Sequence, residues 1–258
     1  MMPVPESALG YGFDNGPGGA HTSRTMMLSE LRLLLAACPP SATYQQYRTA
    51  ILAQNVLLKR TEATRRESLR RLRELYGLIP CLLVFRGLRD LWGEAPAEQP
   101  LLALLAALAR DPLLRATANT IQATPHGAAV TAAMFAETVA AQFPGRMNAM
   151  THASISRHAA ASWTQAGHLQ GRSHKTRRHP LCGPAAVAYA LLLGHLCGAR
   201  GEALFSTFWM QMTDLPIAQA HEQAFLAAQR GWLEYRHTGA VTEIGFSHLL
   251  RKEPIQDE

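Results

Sequence analysis

Seven basic side chains fall within residues 55–76, NVLLKRTEATRRESLRRLRELY: Lys59, Arg60, Arg65, Arg66, Arg70, Arg71 and Arg73. Guanidinium groups at this density suit phosphate, which they can grip with two parallel N–H bonds. Thr61 reads as an N-cap, with Glu62 in the first turn, where the helix dipole favours an anion. On a 3.6-residue wheel Leu69, Leu72, Leu75 and Tyr76 share one face, and Arg66, Arg70 and Arg73 form a stripe beside it. One face can pack while the other meets an anion. The competing reading is an ordinary solvated helix, because Glu62 precedes Arg66 by four residues and Glu67 precedes Arg71 by four.

A second basic stretch has no such acids. Between Glu137 and Glu202 there is no acidic residue, yet Arg146, Arg157, Arg172, Lys175, Arg177, Arg178 and Arg200 lie there with six histidines. Within it, a helix from Thr131 to about 143, a PGRMN turn, and a helix opened by Thr151 or Ser154 and stopped at Gly167 lead into an extended piece. This order suits a winged helix-turn-helix. Ile155, Ala159 and Trp163 would face inward, leaving Ser154, Arg157, His158 and Thr164 on the groove side. GRSHKTRRH, residues 171–179, would be the wing or its following loop, with Arg172, Lys175, Arg177 and Arg178 touching phosphate.

Enzyme chemistry finds little support. The Gly-rich piece GFDNGPGG follows no predicted strand and opens no helix, so it fails the context test for a phosphate loop. His221-Glu222 has Phe225 where a zinc-protease helix needs its second histidine. His179, Cys182, His195 and Cys197 are the best metal candidates, yet His195 and Cys197, two apart on a helix, diverge and would chelate poorly. Asp90, Glu94 and Asp111 lie near Pro or Gly breaks, where carboxylates cap helices or face water. Trp92, Trp163, Trp209 and Trp232 read as core. No catalytic residue, cofactor or metal is expected.

The chain has 258 residues, 48% of them hydrophobic, and a net charge of +6. It can bury a sizeable core and favours an anionic partner. Of its 25 basic residues only Lys59, Lys175 and Lys252 are lysine. Four cysteines without paired spacing and no secretory signal suggest a cytoplasmic setting, and the apolar runs are too short to span a membrane.

The elements that must position these residues are mostly helices. The spacing predicts helices over 26–37, from Ser41 or Thr43 through Leu52, over 82–92 and over 101–110, the last apolar nearly all round and therefore central. A buried helix follows Pro184, and another runs over 218–230. WLEYRHTGAVTEIGF alternates about a Thr-Gly turn, a β-hairpin signal. QAGHLQG at 165–171 is echoed by QRGWLEY at 229–235, which suggests a second winged-helix-like unit. The expected organisation is a flexible Gly/Pro-rich arm (1–22), an N-terminal helical domain (23–120), a winged helix-turn-helix-like unit with a basic loop (121–180), a C-terminal helical region ending in a hairpin (181–250) and a tail (251–258).

The run QNVLLKRTEATRRESLRRL, followed later by SISRHAAASWTQAGHLQG and a terminal hairpin, resembles the BrxA family of bacterial BREX phage-resistance systems. The positions that carry the resemblance are Asn55, Val56, Leu57, Lys59, Arg60, Thr64 and Arg65, then Ser154, Ile155, Arg157, Ala166, Gly167 and Leu169. It implies a mainly α protein with a NusB-like N-terminal bundle, helix-turn-helix elements and double-stranded-DNA binding without catalysis, and it adds Thr64 and Arg65 to the expected contacts. The Gly-rich arm and the 181–212 region depart from the family pattern. Other proteins of a defence system are expected partners. The rival readings are an assembly adaptor and, from the NusB likeness, an RNA binder.

Overall fold

The structure, a computed structural model, describes residues 4–239 and 241–251; of the expected tail, residues 252–258 lie outside that range. A short α1 (Glu6–Leu9) is followed by α2 (Leu28–Ala37), α3 (Tyr44–Leu52), α4 (Glu62–Tyr76), α5 (Leu83–Trp92), α6 (Gln99–Arg110), α7 (Pro112–Ala116) and α8 (Ala118–Ala123). Strand β1 (Ala129–Val130) precedes α9 (Ala132–Gln142) and α10 (Ala149–Gln165), and β2 (Leu169–Gln170) and β3 (Lys175–Arg177) come next. Then come α11 (Pro184–Leu196), the single turn α12 (Phe208–Gln211), α13 (Ile217–Gln229), β4 (Glu234–Thr238) and β5 (Val241–Gly245). The molecule is mainly helical, as the periodicity predicts, with two small antiparallel sheets.

Helix starts follow local chemistry. Thr43 and Thr61 each close a capping box with the residue three positions on, Gln46 and Thr64. Thr131 caps α9. At α10 the expectation of Thr151 or Ser154 is corrected: Asn148 is the cap, its Oδ1 accepting the Thr151 N–H at 2.8 Å. Asparagine is as good a cap as serine, and it stands at the end of the PGRMN turn.

The apolar face expected of α4 is buried through Leu69, Leu72, Leu75 and Tyr76. Helix α6 is buried from Leu101 to Ala109 and packs against α4, α5 and α11. Helix α11, apolar all round, is buried just as completely, so it must sit inside the bundle. The main hydrophobic core consequently runs from Val4 to Leu249 and takes residues from each of the four sequence segments between them, among them Leu72, Leu104, Trp163 and Leu191, while a second cluster of Leu113, Ala116, Val139, Phe143 and Ile155 joins α7, α9 and α10. The boundaries drawn at 120 and 180 do not divide the packing. All four tryptophans are at most 6% exposed, in keeping with a packing role.

The flexible arm is also corrected. Val4, Ala8, Phe13, Ala20 and His21 are buried. Arg115, itself 1% exposed, donates to the carbonyls of Leu108, Ala109 and Asp14 and to Asn15 Oδ1. His21 Nδ1 lies 2.7 Å from Asp111 Oδ2, and its Nε2 lies 2.8 Å from Ser162 Oγ on α10. Composition gave a loop; buried polar partners 90 and more residues away give it one conformation. The segment approaches so closely that a Cβ on Gly19 would lie 2.1 Å from Asp111 Oδ1, whereas one on Gly18 would meet nothing within 4 Å. Gly19→Ala is therefore expected to lower stability by about 2–3 kcal/mol, and Gly18→Ala by less than about 0.5 kcal/mol. Urea midpoints at constant slope measure both.

Candidate nucleic-acid interface

Around α10 the chain builds a three-stranded sheet in the order β1-β3-β2, with both pairings antiparallel. Leu169 faces Arg177, and Gln170 faces Thr176, so residues 171–174 form the hairpin tip. The tip depends on Gly171, whose φ is +106° and whose added Cβ would stand 2.0 Å from His174 O.

Helix α10 presents the inward face expected of it. Ile155, Ala159 and Trp163 are buried, and Trp163 Nε1 donates to Thr117 Oγ1 at 2.8 Å. The outward face carries Met150, Ala153, Arg157 and Ala161 at helical spacing, with Met150 80% exposed. Arg157 is exposed and donates to Ser154 Oγ at 3.1 Å. Thr164 accepts Lys175 Nζ at 2.8 Å, which ties the hairpin to the end of the helix. Burial pulls the Lys175 ammonium below its usual pKa. Arg172 and Arg178 are exposed, and neither forms an ion pair among the described residues.

Two of the expected contacts are turned elsewhere. His158 is half-buried, its Nδ1–H donating to His21 O at 2.9 Å, and burial pushes its pKa down. One flank of α10 is thus occupied by the N-terminal segment. Arg177 is 3% exposed, so its expected phosphate contact is corrected: its guanidinium lies 2.5 Å from Asp214 Oδ2 and donates to the carbonyls of Ile121, His168 and Arg178. The segment holds no acid of its own, but Asp214, 37 residues on, supplies one. Arg177 clasps the sheet to the body of the protein.

The α4 region has a different electrostatic character. Lys59 pairs with Glu30 at 2.9 Å, Arg66 with Glu62 at 2.6 Å and Arg70 with Glu67 at 2.8 Å, while Arg71 bridges Glu67 and Glu74. The hydrogen bond from Arg70, joined by Arg71, pulls the Glu67 carboxyl down to about 2. The intrahelical pairs foreseen as the competing reading are therefore present. Thr64 spends its hydroxyl on the cap, donating to Thr61 O at 2.8 Å. Arg73 lies over the Tyr44 ring. Arg60, Arg65 and Arg73 form no ion pair among the described residues, and Arg65 is half-buried.

A cluster that the sequence did not reveal is Asp111, His21 and Ser162, which has the connectivity of an acid–base–nucleophile relay. Its surroundings assign it another role. All three residues are at most 1% exposed. Ser162 Oγ accepts the Met26 N–H at 2.8 Å and donates to His158 O at 3.0 Å, so its one hydrogen goes to its own helix. The His21 ring meets the Asp111 carboxylate through Nδ1 and the Ser162 hydroxyl through Nε2, and so ties the N-terminal segment to both α7 and α10. Burial pushes that carboxyl up. The His21 ring and bonds from His21 and the Leu114 backbone outweigh this and hold it below its usual range. Asp111 also caps α7 through the N–H groups of Leu113 and Leu114. Among the described residues, His179 stands with His126 and Asp214 and not with Cys182, His195 and Cys197, the candidate metal set that the sequence offers and whose spacing makes a poor chelator.

No protein-family model and no curated protein matches the chain. Among the described residues, no helix is long and apolar enough to cross a membrane.

The division between clasp and contact is testable by stability alone. Arg177→Ala leaves Asp214 without its buried partner and is expected to cost about 3–5 kcal/mol. Arg178→Ala, at an exposed position, is expected to stay within about 0.5 kcal/mol of the parent. Chemical denaturation of the two variants distinguishes these outcomes.

Proposed function

We propose that the chain is a double-stranded-DNA-binding protein that lays the outward face of α10 in a groove and holds the flanking phosphates with Arg157, Arg172, Lys175 and Arg178. The observation that carries this reading is the run from Glu137 to Glu202, free of acids, with Arg157, Arg172 and Arg178 exposed and without ion pairs among the described residues. Phosphate meets uncompensated positive charge there, whereas on α4 Arg66, Arg70 and Arg71 are already held by glutamates. The element order supports the same reading. The sequence of helix, strand, helix, turn, helix and hairpin, with β3 between β1 and β2, is in keeping with a winged helix-turn-helix, in which α10 would be the recognition helix and 171–174 the wing tip. Sequence selectivity is modest, because arginine–phosphate contacts carry orientation rather than base identity.

On the resemblance to the BrxA family we assign this activity to a non-enzymatic accessory protein of a phage-defence system, with the helices before α7 as the NusB-like part. A second reading has its own observation. Ile217, Phe225 and Leu226 on α13 are 52%, 53% and 40% exposed, which suits docking onto a protein of the same system.

Fluorescence anisotropy against a labelled duplex, the matching single strand and an RNA hairpin, each over a salt series, tests the reading. Duplex affinity is expected to fall steeply with salt, and the triple substitution Arg157→Ala, Arg172→Ala, Arg178→Ala to reduce the slope of log affinity against log salt by about three. Arg66→Ala with Arg70→Ala is expected to change that slope by less than about one. Equal weak binding of all three nucleic acids, or a slope insensitive to the triple substitution, would favour the adaptor reading.

A further inference from the structure

Away from α10, three side chains from separate elements converge beside the C-terminal hairpin. Glu202 belongs to the 3-10 turn Gly201–Ser206, His221 to α13 and His237 to β4. One potential ligand atom of each lies within 4.8 Å of the other two. His221 Nε2 is 3.2 Å from Glu202 Oε1. Elements so far apart in sequence meet here because α13 runs into β4 and the 3-10 turn packs against β5.

The supporting hydrogen bonds distinguish this group from a chance cluster of surface histidines. His221 Nδ1 is bonded to Tyr235 OH at 2.7 Å, which leaves Nε2 as the nitrogen directed at the carboxylate. Its ring also stacks on Phe205, with centroids 3.9 Å apart. Thr242 Oγ1 is bonded to His237 Nδ1 at 2.7 Å and donates to Glu202 Oε2 at 2.5 Å, so a single hydroxyl orients two of the three groups. Metal-binding histidines are oriented through their second ring nitrogen in the same way.

We propose that Glu202, His221 and His237 form a binding site for a divalent transition-metal cation of the Zn2+ type. Two imidazole nitrogens and one carboxylate oxygen suit zinc, with water completing a tetrahedron, and they disfavour Mg2+ and Ca2+, which prefer oxygen ligands throughout. Bonds of about 2.0–2.1 Å place tetrahedral ligand atoms about 3.3 Å apart, close to the 3.2 Å between His221 Nε2 and Glu202 Oε1, with the His237 ligand atom within 4.8 Å of both. The second imidazole that α13 lacks at its own i+4 position, occupied by Phe225, comes from β4. A bound cation would fasten the hairpin to α13 and to the 3-10 turn. The other histidine group, His126, His179 and Asp214, is a poorer site, because Asp214 Oδ2 already holds the Arg177 guanidinium, whose charge opposes a cation. The proposal is independent of nucleic-acid binding.

Calorimetric titration of the full chain with zinc chloride, with cobalt(II) absorption as a second probe, tests it. One equivalent is expected to bind. His237→Gln, at an exposed strand position, is expected to lower zinc affinity by about 100-fold or more, and Tyr235→Phe, which removes only the hydroxyl orienting His221, by about tenfold. The double substitution His126→Gln, His179→Gln should leave affinity unchanged. Zinc should also slow amide exchange in β4 and β5. Absence of zinc binding, indifference to His237→Gln, loss with the His126/His179 pair, or a cobalt spectrum with thiolate charge-transfer bands would overturn the site.

Discussion

Asp111 holds four groups at once. Its carboxylate accepts from the His21 ring and the His21 backbone N–H, and it caps α7 through Leu113 and Leu114. Through His21 the contact extends to Ser162 and so to the last turn of α10. A buried carboxylate is tolerable only with partners of this kind, and removing one typically costs about 3–5 kcal/mol. The cluster therefore fixes three things together: the path of the N-terminal segment, the start of α7 and the seat of α10. The outward face of α10 is as well placed as this cluster is rigid.

Charge in the molecule is divided accordingly. Acidic residues accompany the basic ones on α4, and the pairs they form neutralise much of the field there while contributing only a few tenths of a kcal/mol each. Among the described residues, the acid paired with the basic strand is Asp214, and Arg177, the residue it engages, is buried. Exposed positive charge is thus left at Arg157, Arg172 and Arg178, on a helix and a short sheet that the core positions firmly.

Much of this was legible in the residues. Helical periodicity located α2 through α6, α9, α10, α11 and α13 to within a few positions, and the Thr-Gly alternation located the β4–β5 hairpin, because these signals are local. The order of two helices and an extended piece after Thr131 could be inferred for the same reason, whereas the short β1 left no pattern to read. What sequence could not supply was long-range pairing. Arg177 reads as an unpaired loop cation until Asp214 folds against it. The arm reads as mobile until Asp111 and Arg115 anchor it, and the echo at 229–235 ends in a two-stranded hairpin without a third strand. The Glu202, His221 and His237 group was invisible because its members lie on three elements, with only the His221-Glu222 pair drawing notice for another chemistry.

Under the proposed function, duplex DNA is held by the α10 face and the adjoining hairpin rather than by α4. Amide hydrogen exchange of the chain with and without a saturating duplex addresses it most directly, since protection reports where the partner sits without altering any residue. The account predicts new protection within 149–165 and 169–178 and little change over 62–76. Protection confined to α4, or none at all, would contradict it.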